Sequence, residues 1–162
     1  FEIVVPLYSR LMAKGAGENV KGIFGSTNWH WSLQDRDDAS KAFVRSFGAK
    51  YGFPPSQAAH TVYCQTLLYA DACNRAGTFN PCGVGEALEG FEFDGLGNGK
   101  TLYRAEDHQC FKDVLVVKGK ENPTDENDLL EIVEVTPAAQ VTYAPDHPMF
   151  AGGDLGACNP GA

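Results

Sequence analysis

The chain has 162 residues, with 13 Lys and Arg against 21 Asp and Glu, five Cys and 43% apolar side chains. That length suits one domain with a real core, and 21% charged with 11% aromatic residues excludes a disordered tail. A formal net charge of -8 argues against a nucleic-acid partner, since neutralising phosphates needs a basic face, and no apolar run reaches membrane-spanning length. Residues 1–60 carry seven basic and five acidic side chains, and residues 61–162 six and sixteen, so the second part reads as the more solvated surface.

Phe1 opens directly into the apolar run Ile3-Val4-Val5-Pro6-Leu7, with no initiator Met and no signal sequence. This reads as a strand over residues 1–6 in a processed or truncated piece whose upstream portion is missing. A helix or loop follows from Tyr8 to about Gly15, then a short strand from Lys21 to Thr27 stopped by Asn28. Asp35 or Asp37 can cap a helix in which Ala39, Ala42, Phe43 and Phe47 recur at helical spacing; Gly52 and Pro54-Pro55 end it. A second helix runs from about Ser56 to Arg75, with Val62, Tyr63, Leu67, Tyr69, Ala70 and Cys73 as its apolar side and Gly77 as its cap. Pro81 to Leu88 is a third, short helix. Phe91-Glu92-Phe93 and Thr101-Leu102-Tyr103 flank turn residues and predict a hairpin. Val114 to Val117 is a strand, Asn122 to Asp128 a polar loop, and Leu130 to Val135 a further strand. From Thr136 prolines and glycines indicate an irregular tail. The chain is α/β in its first half and increasingly β in its second.

No cysteines form a C-x-x-C pair, which removes zinc-ribbon and thioredoxin readings. Cys73 and Cys82 bracket eight residues rich in turn formers, a loop that closes cheaply, so a Cys73–Cys82 bridge is expected. Cys110 and Cys158 make a second bridge holding the tail, leaving Cys64 as a buried thiol. The other reading is five free thiols in a reducing compartment.

Four motifs invite chemistry. Gly95-Leu96-Gly97-Asn98-Gly99-Lys100 lacks phosphate-loop spacing and leads into a strand, so it reads as a hairpin turn. Its resemblance to a calcium loop fails because the twelfth position is Ala105 rather than Glu. Gly83-Val84-Gly85-Glu86 lacks the third glycine and the preceding strand of a dinucleotide site and reads as a helix start. Arg104-Ala105-Glu106-Asp107-His108-Gln109-Cys110 offers a general base or a His–Cys metal pair, but no nucleophile or full ligand set accompanies it, so it reads as a polar hinge. Trp29-His30-Trp31 puts two indoles on one side of an extended segment, either lining a ligand cleft or packing between lobes.

In order and spacing, several stretches resemble the second half of a type I periplasmic solute-binding protein, foremost the group for branched-chain amino acids, amides, urea and aromatic acids. They are Pro6-Leu7-Tyr8, Gly15-Ala16-Gly17-Glu18, Lys21-Gly22-Ile23-Phe24, Phe43 with Phe47, Pro54, Tyr63 and Ala72. Gly77-Thr78, Val84 to Gly90, Phe93-Asp94 with Gly99, and Arg104 to Gln109 continue the series. The resemblance covers most of residues 1–118 and implies two three-layer αβα lobes joined by crossing hinge segments, with ligand between them. It implies residues 1–27 as the last part of the second lobe, 28–106 as the last part of the first, and 107–162 as the return through the hinge into the second lobe and tail.

By the same resemblance the chain belongs to an extracytoplasmic component of an ABC transporter, with a membrane permease and its own missing N-terminal portion as partners. It implies no catalysis, no cofactor and no metal. Tyr8, Ser9, Trp29 and Trp31 would contact the ligand, and Thr27, Asp107 and His108 would serve the hinge. Amino-acid binders place an acid shortly after the strand end, but none occurs between Pro6 and Met12. A ligand without a free ammonium, an amide or an aromatic carboxylate, is therefore preferred. The alternatives are a ligand-sensing domain of a receptor or regulator, and a small secreted hydrolase using His108 with Asp107.

Overall fold

The computed structural model describes residues 2–149 and 156–158; the rest of the expected Gly- and Pro-rich tail, with Phe1, lies outside the described residues. Strand β1 (Val4–Val5) is shorter than the expected strand over residues 1–6. Pro6 has no N–H to donate, and Leu7, at φ 59°, turns the chain out of the extended conformation. Helix α1 (Arg10–Ala16) starts where the Ser9 hydroxyl accepts the Met12 N–H at 3.1 Å. After a 3-10 turn over Gly17–Val20 comes β2 (Phe24–Thr27). Lys21, expected inside that strand, makes only an isolated bridge to Gly119.

A second 3-10 turn (Trp31–Arg36) leads to α2 (Asp38–Tyr51), whose cap is Asp37 rather than Asp35. The Asp37 carboxylate accepts both the Ser40 N–H and the Ser40 hydroxyl at 2.7 Å. Gly52, at φ 78°, closes α2 in the left-handed conformation. Helix α3 (Gln57–Ala76) is capped by Ser56 and stopped by Gly77, and α4 (Pro81–Leu88) is capped by Asn80 with Pro81 at its first turn. The expected hairpin forms from β3 (Glu92–Asp94) and β4 (Lys100–Leu102), closed by the Gly95 N–H donating to the Gly99 carbonyl at 2.9 Å. Strands β5 (Val114–Gly119) and β6 (Leu130–Thr136) follow, then the short helix α5 (Ala138–Val141) within the tail expected to be irregular.

The main sheet has the order β1-β2-β5-β6, with β1 parallel to β2 and the other pairs antiparallel. Strand β5 alternates strictly, sending Leu115 and Val117 into the core. They join Tyr8, Trp29, Leu33, Phe43 and Leu130 in one buried cluster. Gly25 permits the close approach of β1 and the following loop: a Cβ there would fall 2.5 Å from the Val5 carbonyl oxygen and 2.6 Å from Tyr8 Cβ.

Two expectations are corrected. The apolar side of α3 faces outward: Val62 is 64% exposed and Leu67 50%, while His60, Cys64, Ala72 and Cys73 point inward. Of the expected side, only Cys73 is buried, because ring stacking at His60 and the α4 contact select the inward face. The disulfide pairing also differs. Cys82 joins Cys158 with Cα atoms 5.5 Å apart, and Cys64, Cys73 and Cys110 are free thiols. Cys73 is buried against Val84 of α4, whereas Cys82, in the first turn of α4, meets the tail instead. Cys110 instead forms an isolated bridge with Tyr103.

Candidate functional site

Four buried polar side chains, Ser9, Arg10, Thr27 and His30, lie at or just after the ends of β1 and β2. Tyr8 is buried, and its N–H donates to the Ser26 carbonyl at 2.6 Å, so the loop after β1 is fastened to β2. Burial pushes the Tyr8 hydroxyl above its usual range. Ser9 is buried and spends its hydroxyl on the α1 cap. Next to it lies Arg10, only 7% exposed, a residue the sequence reading passed over. Its guanidinium donates from Nη1 to Asn127 Oδ1 at 2.7 Å and stacks 4.8 Å from the Phe53 ring centroid, while Nε is buried without a hydrogen-bond partner. Burial lowers the Arg10 pKa, with Glu126 opposing.

The chain leaves the sheet at Thr27, whose buried hydroxyl donates to the Trp29 carbonyl at 3.3 Å. Trp29 does not lie on an open face. It is 1% exposed, stacks on His60 at 4.3 Å between centroids and meets Phe43 edge-on at 6.0 Å. Its indole N–H donates to the Leu96 carbonyl at 3.0 Å. Trp31 does not share an extended segment with it, because His30 caps a 3-10 turn that begins at Trp31, taking the Ser32 N–H on Nδ1 at 3.3 Å. Trp31 is half-buried and its Nε1 has no partner among the described residues.

Two buried histidines belong to this junction. His30 and His60 are each pushed down to about 4 by burial, so both are neutral at pH 7. His60 Nε2 hydrogen-bonds to the Gly95 carbonyl at 2.9 Å and lies 3.4 Å from the Cys64 sulfur. Buried Asn98, in the hairpin turn, uses one Nδ2 to donate to the carbonyl of Asn28 and, at 3.3 Å, to that of Asp113. Asn28 ends β2 and Asp113 precedes β5, so one amide holds both connections between the sheet and the helices.

The remaining candidates lie apart, after the hairpin. Arg104 donates from Nε to Asp107 Oδ1 at 2.8 Å and from Nη2 to Oδ2 at 2.5 Å, which holds the Asp107 carboxyl below its usual range. Its Nη1 donates to the Tyr143 carbonyl at 2.5 Å. His108, at φ 56°, hydrogen-bonds through Nε2 to Glu89 at 3.0 Å, so its partner is an acid rather than a hydroxyl or thiol nucleophile. The candidates thus divide into Tyr8, Ser9, Thr27, Trp29 and Trp31 around the strand ends, and Asp107 with His108 at the hairpin. Among the described residues no group of three or more His, Cys, Asp or Glu is arranged to hold a metal ion. No helix among them is long and apolar enough to cross a membrane.

Buried polar groups thus sit where a mixed sheet joins a helical layer. The chain belongs to the periplasmic binding protein family, whose model matches residues 1–125. That family consists of solute-binding proteins, not enzymes. No curated protein matches the chain in sequence. Among solved structures, it is similar to the substrate-binding protein of an amino acid ABC transporter from Pseudomonas fluorescens Pf-5. That pair has 20% identity and TM-score 0.76, covering 93% of this chain and 39% of the other. A branched-chain amino acid ABC transporter periplasmic ligand-binding protein from Burkholderia xenovorans LB400 gives 25% identity and TM-score 0.69, covering 81% and 35%. A solute-binding protein of an ABC transporter from Rhodopseudomonas palustris BisB5, in complex with 3,4-dihydroxybenzoic acid, gives 16% and 0.70, covering 85% and 37%. The chain therefore spans little more than a third of the length of the structures it matches.

Proposed function

We propose that this chain is part of an extracytoplasmic solute-binding component of an ABC transporter, which holds a small ligand in a cleft between two lobes. The sheet of β1, β2, β5 and β6 would belong to one lobe and the layer of α2, α3 and α4 to the other, with crossings near Thr27–Asn28 and Lys112–Asp113. The observation that carries this reading is the amide of Asn98 gripping both crossings, set in a chain whose family is one of binding proteins. Affinity in such a protein comes from closure about the ligand, which buries it and pairs its polar groups.

The ligand class we favour is an amide or aromatic carboxylate rather than an amino acid with a free ammonium. No acid occurs between Pro6 and Met12, and the charged group buried at that strand end is the cation Arg10. Tyr8 and Arg10 would border the ligand, Trp31 would offer its unpartnered indole N–H, and Trp29 would support the cleft from the core. Asp107 and His108 would brace the return segment, and a permease would receive the loaded protein.

Titrating the chain, joined to the additional length its relatives carry, with leucine, benzamide and benzoate tests this by Trp fluorescence. Binding of the amide or acid with weak or no leucine binding is expected. Tight leucine binding overturns the ligand class, and no binding of any of the three overturns the cleft reading.

A further inference from the structure

A cavity of about 430 Å³ lies between α3, the hairpin, α5 and the two connections at Asn28 and Asp113, none of whose walls is formed by Tyr8, Ser9, Trp29 or Trp31. Its walls are mainly apolar, with Leu68 from α3, Phe93 from the hairpin, Phe111 and Val114 from the return connection, and Val141 from α5. Three features of its polar groups are unusual. Lys112 lies in the wall and enters no ion pair among the described residues. Asn28, also in the wall, has its Oδ1 buried without a hydrogen-bond partner among the described residues. The acid of the wall, Asp113, already accepts the Ala138 N–H on Oδ1 at 2.8 Å.

We propose that this cavity is a second ligand site, separate from the interlobe cleft, for a small carboxylate with an apolar body and a hydrogen-bond donor. The Lys112 ammonium would pair the carboxylate, the aromatic and aliphatic walls would cover the body, and a ligand O–H or N–H would satisfy Asn28 Oδ1. An unpaired buried acceptor costs free energy that such a ligand recovers, and a half-buried lysine beside apolar walls supplies the charge to hold its carboxylate. The two thiols of the wall, Cys64 and Cys110, are both pushed up by burial and stay neutral, so they do not repel an anion.

The position of Cys110 in the wall supplies the assay. We choose 4-hydroxybenzoate as probe, 4-hydroxybenzamide as its uncharged control, and the rate of Cys110 alkylation by iodoacetamide, located by mass spectrometry, as readout. A ligand of about ten heavy atoms held by one ion pair and apolar walls is expected to have a dissociation constant of roughly 1 mM. Saturating probe is expected to slow Cys110 alkylation several-fold, with protection half-maximal in that range. Lys112→Gln is expected to raise the half-protecting concentration about tenfold, the amide to protect weakly, and Lys50→Gln, a lysine outside the cavity, to change nothing. Each variant is compared with its own unliganded rate, since Lys112 itself lowers the Cys110 pKa. No protection up to about 10 mM, a further tenfold in concentration, overturns the proposal. Equal protection of the Lys112→Gln variant, or equal protection by the amide, overturns it too.

Discussion

His30 and His60 are buried, and their proton chemistry follows from that burial. Each keeps a native pKa of about 4 against an ordinary 6.5. Between those values the unfolded chain takes up protons that the native state refuses, so stability rises with pH through that window and is complete above about pH 7. Each histidine removes about 2 kcal/mol between pH 7.5 and pH 5. Urea unfolding at the two pH values is expected to show a joint loss near twice that figure. His60→Phe, which keeps the ring stack on Trp29, should remove about half of the slope; an unchanged slope would refute the assignment to His60. His30 was noticed only as part of the Trp29-His30-Trp31 segment, and His60 did not stand out in the sequence. A histidine surrounded by Gln57, Ala59 and Thr61 carries no local sign that a tryptophan 31 positions earlier will cover it. Arg10 was hidden for a similar reason: its burial depends on Phe53 and Asn127, both remote in the chain.

Among elements, the close contact of β1 with β2 makes Gly25 a demanding position, as the approach of Val20 does Gly119. Gly25→Ala drives a methyl into the Val5 carbonyl and Tyr8, both held by backbone pairing. It is expected to cost about 3 kcal/mol in chemical denaturation. Gly15, within α1, has nothing within 4 Å of its missing Cβ. Gly15→Ala should be neutral or add up to about 1 kcal/mol, so the two variants together separate a packing requirement from helix propensity. Helix ends were legible because their signals are local: Asp37, Ser56, Asn80, Gly52 and Gly77 all serve as caps. The hairpin was legible from its turn residues. The inward face of α3 was not, since its apolar residues outnumber what one face can bury, and the partner that selects the face lies in other elements. Strand β1 was overextended because the apolar run continues past the point where Pro6 and Leu7 end pairing. The ligand-contact roles placed on Trp29 and Trp31 rested on an extended segment, and the cap at His30 breaks that geometry.

For the whole molecule, the Cys82–Cys158 bridge closes a loop across 76 positions and ties the tail to α4. Loop-closure entropy alone gives it about 4 kcal/mol, so dithiothreitol is expected to lower the thermal midpoint markedly. Peptide mapping without reduction should recover Cys82 with Cys158 and leave three alkylatable thiols after denaturation; a Cys73–Cys82 peptide contradicts the bridge. Several large apolar side chains remain on the surface, Ile3 and Val4 beside β1 and Val62, Leu67 and Tyr69 along α3. Exposed strips of that kind bind other apolar surface, and strand β1 has a partner on one edge only, its other edge offering unpaired backbone groups. The apparent molar mass of the chain alone, from light scattering, should therefore rise with concentration, and that of a chain with β1 flanked by further residues should not.

The amide of Asn98 also has a mechanical meaning. By clamping the carbonyls of Asn28 and Asp113, just beyond the paired ends of β2 and β5, it ties the hairpin to both connections, so that in the proposed two-lobed protein the three would turn as one lever. The fulcrum would then lie in the ladder itself, at the rung where Thr27 faces Leu115. A joint made of paired strands bends by twisting and stores a restoring torque, whereas a joint made of loop swings freely. Rotation between sheet and helices, in the proposed two-lobed protein, would accordingly be sprung, with a rest angle written into the rungs of β2 and β5.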